Sequence, residues 1–557
     1  MNKTEKLWAA LLVVGLVGYL GWQLLAPKPK QSAAPRAREQ VVYRAQTPAI
    51  EAPKAALPEV VPAASAAPEA FATLENEQVR LKLSSRGGRV VEAEFKNYLA
   101  ENREDSPAVV CETGDLLALG VPGVNGALAF SVVSAAPEKV VLGATLPRDV
   151  ALLREVTLEG GYALSVKDRF SSAAATTVGP YTFAAGTMSL PKAQGEALGA
   201  DFLAQGERKP EYCESRLGKI LGARSAFLGC GTSSDPTGLP LSAQETFAGA
   251  QAWVALKSRF FVALVQPQVA APATLTVARD GLAKTLKVDR VSAAFTYPAV
   301  ALQPGVMSEV TTRLYLGPKK LDQLRAFGGH ADAVMDFGFF GWVCKLLLPI
   351  LNGFYWLIPN YGVAIILLTL LVRLVFWPLT HKSTVAMRKM SIIQPQIKAL
   401  QQQFKDQPQK IQQETFKLYR EHKVNPFSSC LPMLVQIPIF IALFVVLRSA
   451  IELRFASFLW IADLSQPENL FAGFLPVPLN ILPILTAVTM GLQTALSPST
   501  GDAAQKKMMT WMMPIMMLFM FYQMASALCL YWTVSQALSI VQMWLIQRSA
   551  KAEVARA

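Results

Sequence analysis

The chain has 557 residues, of which 52% are hydrophobic and 17% charged, with a mean hydropathy of +0.30 and a pI of about 9.4. Soluble globular proteins usually carry about 25% charged residues, so this composition excludes an ordinary soluble protein and predicts membrane segments. The 53 Lys and Arg residues outnumber the 40 Asp and Glu residues, a balance that suits nucleic acid, the ribosome or anionic lipid as a partner.

The sequence carries no pattern typical of an enzyme active site or a metal centre. It contains no HExxH, GxSxG or GxxxxGK[ST], its three histidines are dispersed, and its six cysteines form no CxxC pair. We therefore predict no catalytic residue, no metal, no cofactor and no DNA partner. A disulfide between Cys213 and Cys230 stays open, because it depends on export to an oxidising compartment.

The N-terminus predicts a membrane anchor followed by a tether. Residues 8–25 are an apolar run just long enough to span the hydrocarbon core as a helix. No small-residue cleavage site follows it, so we interpret residues 1–25 as an uncleaved anchor. Residues 26–71 are rich in Ala, Pro, Lys and Gln without periodicity, which predicts an extended linker.

Residues 72–318 predict one large all-β domain, a sandwich outside the cytoplasm. Apolar and polar residues alternate over 79–83, and Gly87 and Gly88 predict a turn. The same reasoning predicts further strands at 90–95, 151–158, 162–170, 252–265 and 307–316.

The remainder predicts a multi-pass α-helical membrane region. Residues 319–358 read as a connection and an amphipathic interfacial helix, because Pro349, Asn352 and Gly353 interrupt an aromatic-rich stretch. Residues 359–548 predict a five-helix core followed by a short basic tail at 549–557. Its spans are predicted at 361–379, 431–447, 474–496, 508–522 and 528–546.

Charge placement predicts the orientation. Residues 381–425 contain nine Lys or Arg and three acidic residues, whereas 448–474 contain two basic and three acidic residues. Basic loops stay in the cytoplasm, so we predict a membrane protein with loop 381–425 and both termini cytoplasmic. If 337–358 lies flat, the β domain is outside the cytoplasm, which we favour; if 337–358 spans, the domain is cytoplasmic.

The basic loop 381–425 predicts a helical hairpin. Apolar residues recur at steps of three and four on both sides of a turn at 406–408, namely at Met390, Ile393, Ile397, Leu400 and Phe404 and then at Ile411, Thr415, Leu418 and His422. Its basic face, which includes Lys398, Lys405 and Lys410, suits the phosphates of ribosomal RNA or anionic lipid. A topological signal alone explains these charges equally well.

Arg373 is the most informative residue of the predicted spans. A charge there costs about 2.5 to 3.5 kcal/mol on insertion scales, which predicts a polar partner or a wet cavity; snorkelling to the headgroups is the alternative. Thr369 lies on the same helix face and favours the cavity. Further polar groups, which also serve to join helices, are Gln436, Thr486, Thr489, Gln493, Thr533, Ser535 and Gln536. Because no predicted span contains an acidic residue, Arg373 is expected to receive an anionic or polar group from outside.

Residues 508–524 hold eight of the 17 methionines, and five of these follow each other at steps of four. Unbranched thioether side chains make an adaptable apolar surface for varied hydrophobic partners, although ordinary packing produces the same stripe. The candidate surface comprises Met508, Met512, Met516 and Met520.

Several stretches of the sequence match a known family. The most specific are residues 372–380 (VRLVFWPLT), 394–397 (QPQI), 423–440 (KVNPFSSCLPMLVQIPIF) and 530–532 (LYW); weaker likeness extends through 85–88, 249–255 and 314–318. In these stretches the sequence resembles the bacterial YidC membrane-protein insertases, in their long form with a periplasmic domain. The resemblance implies a location in the bacterial inner membrane, a periplasmic β domain, and a five-helix core with a hydrophilic groove that is open to cytoplasm and lipid.

In such proteins the groove arginine, here Arg373, receives the polar flank of a nascent membrane protein while the apolar segment slides into lipid. Position by position, the resemblance places Thr369, Arg373 and Trp532 in the groove or slide, with Gln493 less securely aligned. The implied partners are nascent membrane proteins, the ribosome and the Sec translocon. Ala525–Ser526–Ala527 replaces a Pro-Ser-Gly turn of the family, and the short tail argues against tail-mediated ribosome binding.

Two other function classes fit parts of the sequence. A secondary transporter would use Arg373 for a small anion, but it predicts internal repeats that we do not find. An exported binding module would need only the N-terminal anchor, which leaves the polar residues of the five spans unexplained.

Overall fold

The computed structural model describes residues 69–556 except 103–105, 125, 190–197, 214–216, 222–239, 280–287, 405–406, 423–430, 473–476 and 498–502. The predicted anchor, almost all of the predicted linker, and Cys230 therefore lie outside the described residues. Cys213 is a free, buried thiol.

The described residues of the β domain form twenty strands and one short helix, α1 (Leu217–Ile220). The strands are β1 (Phe71–Glu75), β2 (Val79–Ser84), β3 (Arg89–Leu99), β4 (Ala108–Glu112), β5 (Leu119–Gly120), β6 (Ser131–Ala136), β7 (Lys139–Leu146), β8 (Val150–Gly160), β9 (Ala163–Ser171), β10 (Thr176–Val178), β11 (Tyr181–Ser189), β12 (Gly199–Ala204), β13 (Glu211–Tyr212), β14 (Ser242–Phe247), β15 (Gln251–Lys257), β16 (Phe261–Pro267), β17 (Ala273–Arg279), β18 (Val288–Tyr297), β19 (Val300–Leu302) and β20 (Ser308–Pro318).

Two large antiparallel sheets form the sandwich. One has the order β13-β12-β15-β16-β20-β9-β8-β7-β6 and the other β14-β17-β18-β11-β5; β1-β2-β3-β4 and β10-β19 form smaller sheets. Strands such as β8 and β17 alternate buried and outward residues, so one face of each contributes to the shared apolar core. The prediction of an all-β sandwich is confirmed.

One predicted strand is wrong in its extent. Residues 252–265 are not a single strand, because β15 and β16 pair as an antiparallel hairpin in which Val254 lies opposite Val265. The turn between them contains Ser258, whose backbone N–H donates to the Phe261 carbonyl at 2.9 Å.

A buried ion pair lies across β8 and β9 in the core of this domain. Arg154 and Asp168 are opposite each other, and they are 0% and 1% exposed. The guanidinium donates in bidentate fashion, with Nε 2.7 Å from Oδ1 and Nη2 2.8 Å from Oδ2. Nη1 donates to the carbonyls of Gly88 and Leu117. The charge of Arg154 is therefore fully matched inside the domain.

A second buried pair joins β12 and β15. Lys257 Nζ lies 2.6 Å from Asp201 Oδ2, and both side chains are almost completely buried. Burial raises the pKa of the Asp201 carboxyl to about 6, although the Lys257 ammonium opposes this shift. Lys257 also points toward the 3₁₀ turn Ala331–Met335, with its Nζ 3.5 Å from the Val334 carbonyl. The pair therefore lies where the sheet meets the segment that leads to the helices.

The helical region follows α2 (Leu321–Phe327). Its helices are α3 (Gly341–Leu357), α4 (Tyr361–Gln403), α5 (Pro408–Glu421), α6 (Leu431–Ser449), α7 (Ile481–Leu496), α8 (Ala503–Phe521) and α9 (Ser526–Arg556). Among the described residues, α4 and the Ser526–Ile546 part of α9 are long and apolar enough to cross a bilayer. Three shorter apolar helical stretches are Gln436–Ser449, Ile481–Leu496 and Thr510–Phe521. The third predicted span began at 474, whereas α7 begins only at Ile481.

Helix α3 buries one apolar face and exposes another. Cys344, Leu348 and Leu351 are buried against the other helices, whereas Trp342 and Trp356 are 71% and 86% exposed. Large exposed aromatic side chains next to a membrane region are typical of a helix that lies at the lipid interface.

The end of α4 packs against α5. Met390, Ile393 and Ile397 of α4 are buried together with the partly buried Leu418 and Tyr419 of α5. His422 Nε2 and Gln396 Oε1 are 3.1 Å apart at the end of this pair. The apolar spacing in the sequence therefore corresponds to a real contact between the two helices.

The β domain is hydrogen-bonded to the end of α6 and to the connection between α6 and α7. Arg259, in the turn between β15 and β16, donates to the carbonyls of Arg448 at 2.8 Å and Ser465 at 2.7 Å. Arg454 donates in the opposite direction, to the Leu99 carbonyl at 2.7 Å. The same connection accepts hydrogen bonds from the start of α9, where the Ser526 N–H lies 2.9 Å from the Gln466 carbonyl. The sandwich thus contacts the helical region through hydrogen bonds to backbone carbonyls.

Candidate functional site

Arg373 lines a narrow cavity between α4, α6 and α9. The cavity has a volume of about 20 Å³, which is room for about one water molecule. The lining side chains are Thr369, Val372, Arg373, Phe376, Leu379, Thr380, Gln436, Ile439, Tyr531 and Ser535. The resemblance implied a hydrophilic groove, and the structure has a narrower cavity with a polar edge and an apolar wall at that place.

The guanidinium of Arg373 is held by a neutral hydroxyl. Its Nε and Nη2 donate to Ser535 Oγ at 3.0 and 2.5 Å. No carboxylate forms an ion pair with Arg373 in the part of the chain that the structure describes. The side chain is partly buried and turned toward α9, so it does not snorkel. Within the described residues, the distinguishing feature of this cavity is therefore a guanidinium that donates its hydrogen bonds to one neutral hydroxyl.

Two further predicted residues lie beside Arg373. Thr369 is 0% exposed, and its Oγ1 donates to the Ile365 carbonyl at 2.7 Å, one turn earlier in the same helix. Gln436 of α6 contributes a partly buried amide to the cavity wall. The structure thus brings four of the selected residues, Arg373, Thr369, Gln436 and Ser535, to one cavity.

Trp532 and Gln493 do not line this cavity. The Trp532 ring packs between Phe440, with ring centroids 4.9 Å apart, and Phe521, at 5.7 Å. Adjacent helical residues point about 100° apart, so Trp532 faces α6 and α8 when Tyr531 and Ser535 face the cavity. Gln493 lies near the end of α7, where its carbonyl accepts from Ser497. Their predicted place in a groove is therefore separate from the Arg373 cavity and stays a prediction.

The structure adds residues that the sequence reasoning did not select. Thr380 lines the cavity, and its Oγ1 lies 2.9 Å from Gln542 Nε2 of α9. Tyr531 is also a lining residue and is 2% exposed. Helical spacing was an available signal, because Thr380 and Gln542 each follow a selected residue, Arg373 or Ser535, by seven positions.

The described residues contain no group of three or more His, Cys, Asp or Glu side chains placed to hold a metal ion. The cavity offers one guanidinium, hydroxyls, an amide and apolar carbons. Such groups bind an anionic or polar chain by charge and hydrogen bonds.

Two family models cover almost all of the described chain. Residues 72–350 match the YidC periplasmic domain and residues 353–553 match the 60Kd inner membrane protein. The membrane protein insertase YidC of Pelobacter propionicus is 31% identical over 98% of this chain and 99% of its own length. The chain belongs to the YidC family of membrane protein insertases.

The chain is also similar to a further relative and to a solved structure. The insertase of Aeromonas salmonicida is 32% identical over 97% of both chains. A crystal structure of an active YidC insertase with its first transmembrane domain resolved has 19% identity, a TM-score of 0.35, and covers 86% of this chain and 94% of its own. The family consists of inner-membrane insertases with a periplasmic domain and not of catalytic enzymes, and the anion-transporter alternative is not favoured.

The methionine stripe predicted as a YidC slide lies on α8. Met512, Met516 and Met520 are 55%, 55% and 44% exposed. Met517, by contrast, packs against the helical core. The side chain of Met508 is outside the described residues. Three of the four selected methionines therefore face outward along one side of the helix.

The structure describes two of the three lysines selected for ribosome contact. Lys398 is exposed on α4, and Lys410 is exposed on α5 with its Nζ 4.6 Å from the centre of the Phe404 ring. Lys405 lies outside the described residues.

Proposed function

We propose that this chain inserts nascent membrane proteins into the inner membrane, and that Arg373 receives the polar flank of each client. The observation that supports this most strongly is the single neutral partner of Arg373, Ser535. A charge in a membrane span is costly unless it is paired, so a client carboxylate or peptide carbonyl gains a strong bond there.

Insertion then needs no nucleotide. The client's polar flank exchanges bonds with water for bonds with Arg373 and its neighbours, which lowers the cost of entering the bilayer. The client's apolar segment passes along the outward methionines of α8, Met512, Met516 and Met520, into lipid. Burial of apolar surface at about 25 cal/mol per Å² drives this release.

We infer the membrane topology from charge, length and exposure. Helices α4, α6, α7, α8 and α9 are the five spans of the core, and α3 lies flat in the interface on the periplasmic side. The α4–α5 pair forms the cytoplasmic hairpin within 381–425, because that segment is strongly basic. Residues 1–25 are the anchor, 26–71 the linker, 72–318 the periplasmic domain, 319–358 the connection, 359–548 the core and 549–557 the tail, with both termini cytoplasmic.

The basic hairpin is proposed to contact the ribosome. Lys398, Lys405 and Lys410 would bind ribosomal RNA phosphates without sequence preference, which makes the contact sensitive to salt. Clients would arrive either from the ribosome or from the Sec translocon at the lipid-facing side of the cavity.

The test of this function is a set of substitutions at Arg373 in cells depleted of their own insertase. Arg373→Ala and Arg373→Glu are expected to reduce insertion of small single-span clients at least tenfold, because one lost charged hydrogen bond is worth about 1.5 to 3 kcal/mol. Arg373→Lys keeps the charge but loses the planar donors, so it should retain part of the activity.

Arg548→Glu is the matched control, since Arg548 is an exposed arginine of α9 that lies over the Trp544 ring and does not line the cavity. It is expected to insert these clients at the wild-type rate. Normal insertion by Arg373→Glu would contradict the proposed role of Arg373.

A further inference from the structure

A second polar contact joins α4 and α9 one heptad beyond the Arg373–Ser535 contact. Gln542 Nε2 donates to Thr380 Oγ1 at 2.9 Å, and Thr380 Oγ1 also lies 3.3 Å from Gln542 Oε1. Gln542 is only 5% exposed. A buried amide is retained in an apolar seam only when it is hydrogen-bonded, so this contact is a built feature of the helix pair.

The two contacts follow each other along the same pair of helices. We call Arg373–Ser535 the first rung and Thr380–Gln542 the second rung. Each joins residues 162 positions apart, Arg373 with Ser535 and Thr380 with Gln542. The helices therefore run in the same direction, and the rungs are separated by about 10.5 Å, from seven residues at 1.5 Å each. Thr380 also lines the Arg373 cavity, so the second rung borders the same space as the first.

The second rung lies between Arg373 and the basic hairpin. From Thr380, α4 continues toward Met390 and Ile397, which pack against α5. In the proposed topology this is the cytoplasmic end of the seam. A polar chain that enters from the cytoplasm therefore meets Thr380 and Gln542 before it reaches Arg373.

We propose that Thr380 and Gln542 are a second binding position for the client flank, selective for uncharged peptide groups. A primary amide donates and accepts at once, so it matches a peptide N–H and carbonyl, whereas Arg373 only donates and favours anions. The client would replace the Thr380–Gln542 bonds with its own, one heptad from Arg373. This inference rests on the proposed function and deepens it.

The test compares two clients that differ only in the length of an uncharged polar flank, one of about three residues and one of about fifteen. Gln542→Leu has a similar volume and no hydrogen bonds, and Thr380→Val removes the hydroxyl. Both variants are expected to lower the insertion rate of the long-flank client about tenfold, which corresponds to about 1.4 kcal/mol. The insertion rate of the short-flank client should stay within twofold of the wild-type rate. Thr380→Ser, which keeps the hydroxyl, should restore the long-flank rate.

Ser539→Ala is the matched control, because the Ser539 hydroxyl bonds only to the Ser535 carbonyl of its own helix at 3.1 Å. It should slow neither client. Equal slowing of both clients by Gln542→Leu would assign the contact a structural role and overturn the inference, as would no slowing of either.

A second measurement uses the unmodified insertase. Ribosome-stalled clients carry a photoreactive residue at successive flank positions, and adducts are mapped on α4 and α9. Adducts near Ser535 and near Gln542 from the same flank support the two-rung site. Adducts near Ser535 alone overturn it while leaving the proposed function intact, whereas adducts at neither position count against both.

Discussion

Arg154 in the periplasmic domain and Arg373 in the membrane region both lie away from bulk water, but their charges are treated in opposite ways. Arg154 is 0% exposed and has a bidentate carboxylate partner, Asp168, together with two backbone carbonyls. Arg373 has one hydroxyl, that of Ser535. The charge of Arg154 is therefore neutralised within the fold. The charge of Arg373 is not, so its guanidinium is able to bind a further group.

The difference separates a structural arginine from a functional one. A buried pair destabilises a protein strongly when one partner is lost, because the other charge remains unpaired. An arginine with a neutral partner leaves no charge behind when it is removed. We therefore expect loss of Arg154 to lower stability more than loss of Arg373 does. Loss of Arg373 should lower insertion activity more than loss of Arg154 does.

Substitution of Arg154 should have the largest effect on stability. Arg154→Met leaves Asp168 buried without a partner, so we expect the periplasmic domain to lose about 3 to 5 kcal/mol of unfolding free energy. Hydrogen–deuterium exchange of β8 and β9 peptides in the full-length protein measures this loss. Arg169→Met, at a partly exposed cluster with Glu309 and Glu155, is the control and should cost at most about 1 kcal/mol. A loss of at most about 1 kcal/mol for Arg154→Met as well would contradict the structural role of Arg154.

The Asp201–Lys257 pair should give the next largest effect, and it depends on pH. The ordinary pKa of an Asp carboxyl is 3.8, and burial raises the pKa of Asp201 to about 6 in the folded domain. The folded state therefore holds this proton more tightly, so the contribution of Asp201 is greatest below about pH 4 and is lost as pH rises through 6. The change is at most about 3 kcal/mol.

Unfolding of Asp201→Asn between pH 4 and 6 checks this sign. The Asn variant cannot titrate, so its stability should fall less between these pH values than that of the wild type. Asp115→Asn, at an exposed ion pair with Arg89, is the control and should keep the wild-type slope. An unchanged slope in Asp201→Asn would show that the pair stays fully ionised.

Removal of Arg373 should have the smallest effect on stability. Arg373→Met leaves only the Ser535 hydroxyl, so we expect the exchange protection of α4 and α9 to change by no more than about 1 kcal/mol. A loss of 3 kcal/mol or more would place Arg373 in the same structural class as Arg154.

The sequence predicted strands well where apolar and polar residues alternate clearly. Strand β8 alternates inward and outward residues, strands β9 and β20 do so over part of their length, and all three were predicted within two residues of their ends. The hairpin of β15 and β16 was read as one strand because nearly every residue on both sides of Ser258 is buried. A continuous apolar run has no alternation to mark the turn.

The chemistry of the candidate site could be predicted, but its geometry could not. An arginine within an apolar span without acidic neighbours identified Arg373 as unusual from residue type alone. Its contact with Ser535 joins residues 162 positions apart, and a single sequence carries no signal for that pairing. Trp532 packs against Phe440 and Phe521 and does not line the Arg373 cavity, because a one-residue step from Tyr531 rotates a helical side chain by about 100°.

The most direct test of the unpaired arginine is a client series in which only the charge of the flank changes. Single-span clients with acidic, neutral or basic flanks are inserted by reconstituted wild-type protein and by Arg373→Glu, and the insertion rates are compared. We predict that the wild type inserts acidic flanks fastest and basic flanks slowest, and that Arg373→Glu reverses this order. An identical order for both proteins would contradict the account.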